Sequence, residues 1–171
     1  MQLRMKSVGI AMAGLCAALA FSQDSQPPAA PAPLRITGAV STPLELKAED
    51  FAKLPHQTVS VHSEDGTTVE YAGVPLRDLL ERAGAPGGKT LRGKALASYV
   101  LAKARDGYQV VFGLAEFDPA FANEQILVAD KRDGKPLFGY QGPFRLVCPN
   151  DKAGARSVRM LESIEVVSLQ K

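Results

Sequence analysis

The fold of this 171-residue chain is decided by residues 127–167, LVADKRDGKPLFGYQGPFRLVCPNDKAGARSVRMLESIEVV. Apolar runs such as LVA, FRLVC and IEVV predict short strands, because their side chains suit a pleated, half-buried surface. The pieces between them, DGKP, GPF and GAR, contain the glycine and proline residues that are typical of turns. Basic residues accumulate in and around these turns. The stretch therefore predicts closely spaced strands that present positive charge.

The same alternation of short apolar runs and turn residues continues towards the N-terminus. Helices are predicted at residues 48–54, stopped by Pro55, and at residues 75–84, which begin with proline and end with glycine. The predicted strands cover residues 34–40, 44–46, 58–62, 68–71, 97–102, 108–112, 125–129, 144–148 and 164–169. These strands are too close together for regular βαβ units. We therefore predict an α+β domain of layered mixed or antiparallel sheets with few short helices.

The N-terminus has the pattern of an export signal. Arg4 and Lys6 give it a positive start, residues 8–20 are mostly apolar, and small residues precede position 23. We expect a signal peptide over residues 1–22 and a periplasmic or secreted protein. The apolar run is shorter than a membrane-spanning helix requires, and no later run is longer. We therefore expect no membrane span after the signal has been removed.

The rest of the chain divides into a linker and one domain. Residues 23–33 are rich in proline and alanine, which predicts a segment that does not fold by itself. Residues 34–171 have the length of a single domain with its own core. Loss of the signal removes Arg4 and Lys6 but no acidic residue, so the formal net charge falls from +2 to 0. Overall charge therefore predicts no nucleic-acid binding.

Charge is unevenly distributed within this domain. Residues 45–82 hold eight acidic and four basic side chains, whereas residues 130–159 hold seven basic and three acidic ones. A separation of this kind indicates either an anion-binding site in the basic half or two halves that face each other. A small anionic ligand is therefore one expected partner.

Three pieces of the C-terminal stretch resemble a known family in their order and spacing. They are residues 134–137 (GKPL), 142–149 (GPFRLVCP) and 154–161 (GARSVRML). Together with residues 73–76 (GVPL) and 106–108 (DGY), they are similar to the sulfite-oxidase-type oxidoreductase molybdopterin-binding domain. Each motif is short, but their shared order makes the resemblance specific. It implies a fold of layered sheets with few helices, and molybdopterin as the cofactor.

The molybdenum ligand of that family has no counterpart in this sequence. The resemblance places a ligand cysteine before the GVPL motif, at Val61, or at His62 if one gap is allowed. Neither side chain is a thiol, and Cys16 lies in the predicted signal, so the mature chain has Cys148 alone. Gln141 stands near the position of a family histidine. We therefore expect no bound cofactor metal, while the resemblance keeps molybdopterin as the alternative.

Four basic residues form the main candidate binding set: Arg145, Lys152, Arg156 and Arg159. Arginine can hold a phosphate through two parallel hydrogen bonds, and Gly154 allows a ligand to approach the backbone closely. In the family, positions that match the GARSVR segment help to hold the pterin and its phosphate. The alternative is that Arg145 and Arg159 lie on solvated faces, paired with Glu162 or Asp151.

His62 and Tyr108 complete the candidate set. His62, beside the vacated ligand position, can hydrogen-bond a ligand, or it can lie on the strand surface. Tyr108 follows a turn that borders the active-site pocket in the family, and its alternative is a place in the core or at the rim. His56 is the one other histidine, so no histidine and cysteine cluster for a metal is predicted. No serine, histidine and aspartate order or paired carboxylates indicate catalysis.

Cys148 is predicted to be buried. It shares the alternation of its strand with Phe144 and Leu146, so its side chain belongs to the apolar face, while Arg145 and Val147 point the other way. A lone thiol in such surroundings acts as a small hydrophobic group rather than as a reactive one.

Two functions compete for this sequence. The resemblance implies a periplasmic molybdopterin-dependent oxidoreductase of the sulfite oxidase type. The residues favour an exported non-redox binding module for a small anionic or pterin-like ligand, or for an exported protein partner. The second function is supported by the missing ligand cysteine and the missing histidine. It is also supported by a signal without the paired arginines that direct folded, cofactor-loaded proteins out of the cytoplasm.

Overall fold

Two five-stranded sheets make up the fold of the chain. The computed structural model describes residues 32–62, 66–122 and 124–169. The first sheet contains five strands: β1 (Leu34–Gly38), β2 (Leu44–Leu46), β5 (Ser98–Ala104), β6 (Gln109–Gly113) and β10 (Leu161–Ser168). Their order is β2-β1-β10-β5-β6. The pair β1 and β10 is parallel, and the other three pairs are antiparallel.

The second sheet contains the other five strands: β3 (Gln57–His62), β4 (Thr68–Pro75), β7 (Leu127–Arg132), β8 (Lys135–Pro136) and β9 (Arg145–Val147). The order β3-β4-β7-β8 forms its main path, and β9 also pairs with β7. All of these pairs are antiparallel.

Helices are few and short in the described part of the chain. They are α1 (Ala48–Phe51), α2 (Leu76–Arg82) and 3-10 turns at Gly88–Thr90, Gly93–Ala97, Leu114–Phe117 and Gly154–Arg156. α2 begins after Pro75, and the backbone N–H of Leu76 donates to the carbonyl oxygen of Ile126 at 2.9 Å. Its apolar side chains at three- and four-residue spacing, Leu76, Leu79 and Leu80, are buried in the main core. The predicted class of mixed sheets with few helices is confirmed.

Several element boundaries differ from the prediction. β1 ends at Gly38 rather than at residue 40, because Gly38 has a φ of +92° that does not continue a strand. α1 ends at Phe51, three residues early. β10 begins at Leu161, earlier than predicted, and its pairing with β5 shifts register between Leu161 and Ser163. The two-residue β8 was not predicted, because a pair of residues carries no alternation pattern.

The second sheet has apolar side chains on both of its faces. Val74, Val128 and Leu146 join the main core that the two sheets share. The opposite face, here called the outer face, carries a second cluster made of Tyr71, Leu127, Ala129, Leu137 and Val147. Val59, Val61 and Val69 pack against this cluster and are only half-buried. Because β9 pairs Arg145 with Ala129, Arg145 lies on the outer face as well.

Two glycines of the motifs permit close backbone approach. A Cβ at Gly73 would lie 2.0 Å from the carbonyl oxygen of Val128 on the neighbouring strand. A Cβ at Gly142 would lie 2.5 Å from the carbonyl group of Leu137. Any larger residue at either position would push the backbones apart.

The predicted signal peptide, residues 1–22, lies outside the described residues, as does the linker except for residues 32 and 33. Within the described ranges, no helix combines the length and the apolar character that a membrane span requires.

Candidate functional site

A cavity of about 620 Å³ opens on the outer face of the second sheet. Four side chains of the sheet supply an apolar floor: Val61, Val69, Tyr71 and Val147. Basic and polar groups line the rest of the cavity: Arg132, Gln141, Arg145, Lys152, Ser157 and Arg159. We call this space the cationic cavity. It combines apolar surface at its base with concentrated positive charge.

Arg145 is the half-buried cation of this cavity. Its Nη1 donates to Oε1 of Gln141 at 2.5 Å, and its guanidinium carbon lies 5.1 Å from the centre of the Tyr71 ring. Nε of Arg145 is buried and has no hydrogen-bond partner among the described residues. Burial is the main cause that lowers the pKa of Arg145, and the positive charges of Arg159 and Arg132 lower it further. Among the described residues, the guanidinium therefore has neither a negative partner nor an acceptor for Nε.

Arg159 and Lys152 approach the cavity from the long connection between β9 and β10. Both side chains are exposed, and neither forms a salt bridge with a described residue. The Arg159 guanidinium lies 5.8 Å from the centre of the Tyr140 ring. The ammonium group of Lys152 and the guanidinium group of Arg159 are therefore available to bind a ligand.

His62 also lines the cationic cavity. Its Nδ1 lies 2.9 Å from Oγ1 of Thr68 on the paired strand, and the side chain is exposed. The structure thus brings four of the six candidate binding residues to one cavity: His62, Arg145, Lys152 and Arg159.

Arg156 does not join this group, which corrects the predicted convergence of all four basic residues. Its Nε and Nη2 donate to the two carboxylate oxygens of Asp151 at 2.8 and 2.7 Å, and its Nη1 donates to Oε2 of Glu116 at 3.0 Å. The guanidinium also lies 5.0 Å from the centre of the Phe112 ring. The hydrogen bonds that Arg156 donates to Asp151 are the first cause that raises the pKa of Arg156. Two carboxylates thus already hold this side chain.

This network also pairs the carboxylate of Asp151 with Arg156. Asp151 is the one acidic side chain among the described residues that line the cationic cavity, and both of its oxygens accept from Arg156. Among the described residues, Arg145, Lys152 and Arg159 therefore form no salt bridge with Asp151 or with any other acidic side chain.

Tyr108 lies in a neighbouring cavity of about 470 Å³. Its hydroxyl donates to the carbonyl oxygen of Ala155 at 2.6 Å, which ties the turn after β5 to the GARSVR segment. The two cavities share Gly154, Ser157 and Arg159. Tyr108 therefore supports the wall that separates the two spaces, and it does not line the cationic cavity itself.

Cys148 is buried in the main core beside Phe144 and Leu146, which confirms its predicted placement. Cys148 is also one of the residues that line the cationic cavity. The backbone N–H of Cys148 donates to Oγ of Ser157 at 3.1 Å. Burial is the main cause that raises the pKa of the thiol to about 12, so the sulfur stays protonated at neutral pH.

The fold and the motifs together assign the chain to a family. The model of the oxidoreductase molybdopterin-binding domain matches residues 26–171, and the chain belongs to that family. Among solved structures, it is similar to the sulfane dehydrogenase SoxCD from Paracoccus pantotrophus, with 20% sequence identity and a TM-score of 0.62. The match covers 82% of this chain and 39% of that chain, so this chain spans about two fifths of the other. No curated protein matches the sequence.

The residues of the cavity do not fit a molybdenum centre that is held by a thiolate. A soft thiolate is the ligand type that such a centre requires from the protein, and Val61 occupies the position where the family resemblance places it. The thiol of Cys148 is neutral and packed in the core. Within the described residues, no three side chains of histidine, cysteine, aspartate or glutamate gather to hold a metal ion.

Sequence reasoning missed three features of the cavity. Arg132 was counted in the basic block but was not named as a candidate. Gln141 was treated as a replaced histidine, whereas it accepts a hydrogen bond from Arg145. The third feature is the apolar floor. Val59 and Val61 along β3, and Val69 and Tyr71 along β4, alternate with polar residues, so the sequence pattern could have predicted this apolar face.

Proposed function

We propose that this member of the molybdopterin-binding-domain family is a non-redox binding module that holds a small ligand by an anionic group, such as phosphate, in the cationic cavity. The observation that carries the proposal is the state of Arg145. It is a half-buried guanidinium without a carboxylate partner among the described residues, beside two further arginines.

A bound anion would relieve this unfavourable arrangement. A buried charge without a partner is costly, and like charges nearby add repulsion. A phosphate in the cavity would supply a negative partner for the Arg145 guanidinium and reduce the repulsion from Arg159. Hydrogen bonds between charged groups are stronger than those between neutral ones. The electrostatics of the unliganded cavity therefore favour the binding of an anion.

The donor set supports a non-redox role. Val61 replaces the family thiolate, and the Cys148 thiol is neutral. A molybdopterin-dependent oxidoreductase is the second candidate, because residues 26–171 match the family model. That candidate requires a metal ligand that none of the described lining residues supplies. We also propose that residues 1–22 direct export to the periplasm or beyond, on the pattern of their sequence.

Calorimetric titration tests the binding proposal. Inorganic phosphate and phenyl phosphate are titrated into the wild-type protein, Arg145→Gln and Arg159→Gln at low ionic strength. We expect measurable binding to the wild type and a loss of about tenfold or more in each variant, because a hydrogen bond to a charged group contributes about 1.5–3 kcal/mol.

Arg92→Gln is the matched control. Arg92 is exposed and lines none of the cavities described here, so its loss should leave the affinity unchanged. Thermal unfolding of each variant separates a binding defect from a folding defect. If Arg145→Gln does not fold, Arg159→Gln still tests the proposal. Absence of binding for both probes, or equal affinities of wild type and folded arginine variants, would refute the proposal.

A further inference from the structure

The apolar floor of the cationic cavity is not needed by an inorganic anion. Val61 and Val69 face each other across β3 and β4, and both are half-buried. They keep apolar surface towards the cavity, whereas Tyr71 and Val147 beside them are buried. An inorganic anion held by the arginines would leave this valine surface in contact with water, which is unfavourable.

The size of the cavity also favours an organic ligand over an inorganic anion. Its volume of about 620 Å³ falls within the range of about 300–1,000 Å³ that is typical of sites for organic ligands. Such sites combine mainly apolar walls with a few polar groups that fix orientation. In this cavity the half-buried valines, Val61 and Val69, lie on β3 and β4. The cations that form no salt bridge with a described residue lie on β9 and on the connection that follows it. One end therefore suits an apolar body and the other suits a negative charge.

We propose that the ligand is an organic anion with an apolar, ring-sized body that lies on Val61 and Val69, and with its anionic group on Arg145 and Arg159. This inference rests on the proposed function and deepens it. Val61 is then the residue that determines specificity. At the position where the family resemblance places a metal ligand, this chain presents methyl groups to the ligand.

Tyr71 links the two ends of the proposed site. Its ring is 5% exposed and belongs to the second apolar cluster, while the Arg145 guanidinium lies over it. This stacking holds the cation next to the apolar floor. A ligand whose charge is attached directly to its ring can therefore reach both ends at once.

The test compares three probes in the wild-type protein: inorganic phosphate, phenyl phosphate and neutral benzyl alcohol. We expect phenyl phosphate to bind at least about tenfold more tightly than inorganic phosphate, because the phenyl ring covers apolar surface. Benzyl alcohol, which lacks the charge, should bind more weakly than phenyl phosphate by about tenfold or more.

Val61→Thr keeps the size and the β-branching of the side chain but replaces one methyl group with a hydroxyl group. It should weaken the binding of phenyl phosphate by about three- to tenfold and leave inorganic phosphate unaffected. Val59→Thr is the matched control. Val59 is also half-buried and lies two residues earlier on the same face of β3, but it does not line the cationic cavity. Its substitution should leave both affinities unchanged.

The outcomes separate this inference from the proposed function. In one outcome, inorganic phosphate and phenyl phosphate bind the wild type with equal affinity, and Arg145→Gln weakens both. That result would support the anion site but refute the proposal that the ligand has an apolar ring. In another outcome, phenyl phosphate binds more tightly than inorganic phosphate, but Val61→Thr does not weaken its binding. That result would refute the proposal that the ring lies on Val61 and Val69. If no probe binds, the proposed function fails, and the inference fails with it.

Discussion

Arg145 and Leu146 are neighbours in β9 with opposite environments. Leu146 is fully buried in the main core, while Arg145 projects onto the outer face beside Tyr71. Because side chains alternate across a strand, the burial of Leu146 obliges Arg145 to take the other side. The cation is thereby fixed at the cavity by the packing of its neighbour.

Cys148 allows a direct test of the same alternation. Its side chain is 5% exposed, and burial raises the pKa of the thiol to about 12. Since the thiolate is the reactive form, we expect the folded protein to react with a thiol reagent far more slowly than the protein in denaturant. The measurement is the rate of labelling at neutral pH in both states. Rapid labelling of the native protein would contradict the burial of this side chain.

At the scale of elements, the 3-10 turn Gly154–Arg156 shapes the wall between the two cavities. Arg156 fastens this turn to Asp151 within the same connection and to Glu116 in the turn Leu114–Phe117. Tyr108 adds a third tie through Ala155. Arg159, which follows the turn, is held near the cavity as a consequence. Arg156 therefore acts on the site through structure rather than through contact with a ligand.

We predict that Arg156→Gln lowers the free energy of unfolding by about 1–2 kcal/mol, because it leaves the half-buried Asp151 carboxylate without its partner. The estimate is moderate, since the Arg156 side chain is 37% exposed and solvent weakens its ion pairs. Denaturant unfolding measures the change. Arg35→Gln is the control, because the Arg35 pair with Glu162 is a single exposed contact and should contribute less than about 1 kcal/mol. Equal effects of the two substitutions would argue against the network.

The sequence predicted the elements with a strong pattern and missed those without one. Strands that alternate over four or more residues, such as β3, β4 and β5, lie near their predicted positions. The 3-10 turns around residues 88–97 were not predicted, because turns of three to five residues are too short to show an apolar period. For the site, Arg156 was grouped with the other arginines because Glu116 is 40 positions away, and no local pattern reveals that pairing.

At the scale of the whole molecule, the two charge blocks take different roles. No salt bridge described here joins an acidic residue of 45–82 to a basic residue of 130–159. Among the described residues, the salt-bridge contact between the blocks joins His56 to Asp130 at 3.1 Å, and its acidic member belongs to the basic block. The basic block instead contributes Arg132, Arg145, Lys152 and Arg159 to one cavity. The charge separation thus favours an anion site over two halves that attract each other.

The molybdenum content of the purified protein distinguishes a binding module from a molybdopterin-dependent oxidoreductase. The fold of the family is kept, but Val61 stands at the position of the thiolate, and the Cys148 thiol is neutral in the core. Without a thiolate at that position, we predict that protein purified from its native compartment holds less than about a tenth of an equivalent of molybdenum. Elemental analysis measures this value, and a family member that has the ligand cysteine, purified from the same host, is the positive control. Near-stoichiometric molybdenum together with pterin fluorescence would overturn the non-redox assignment and restore the oxidoreductase.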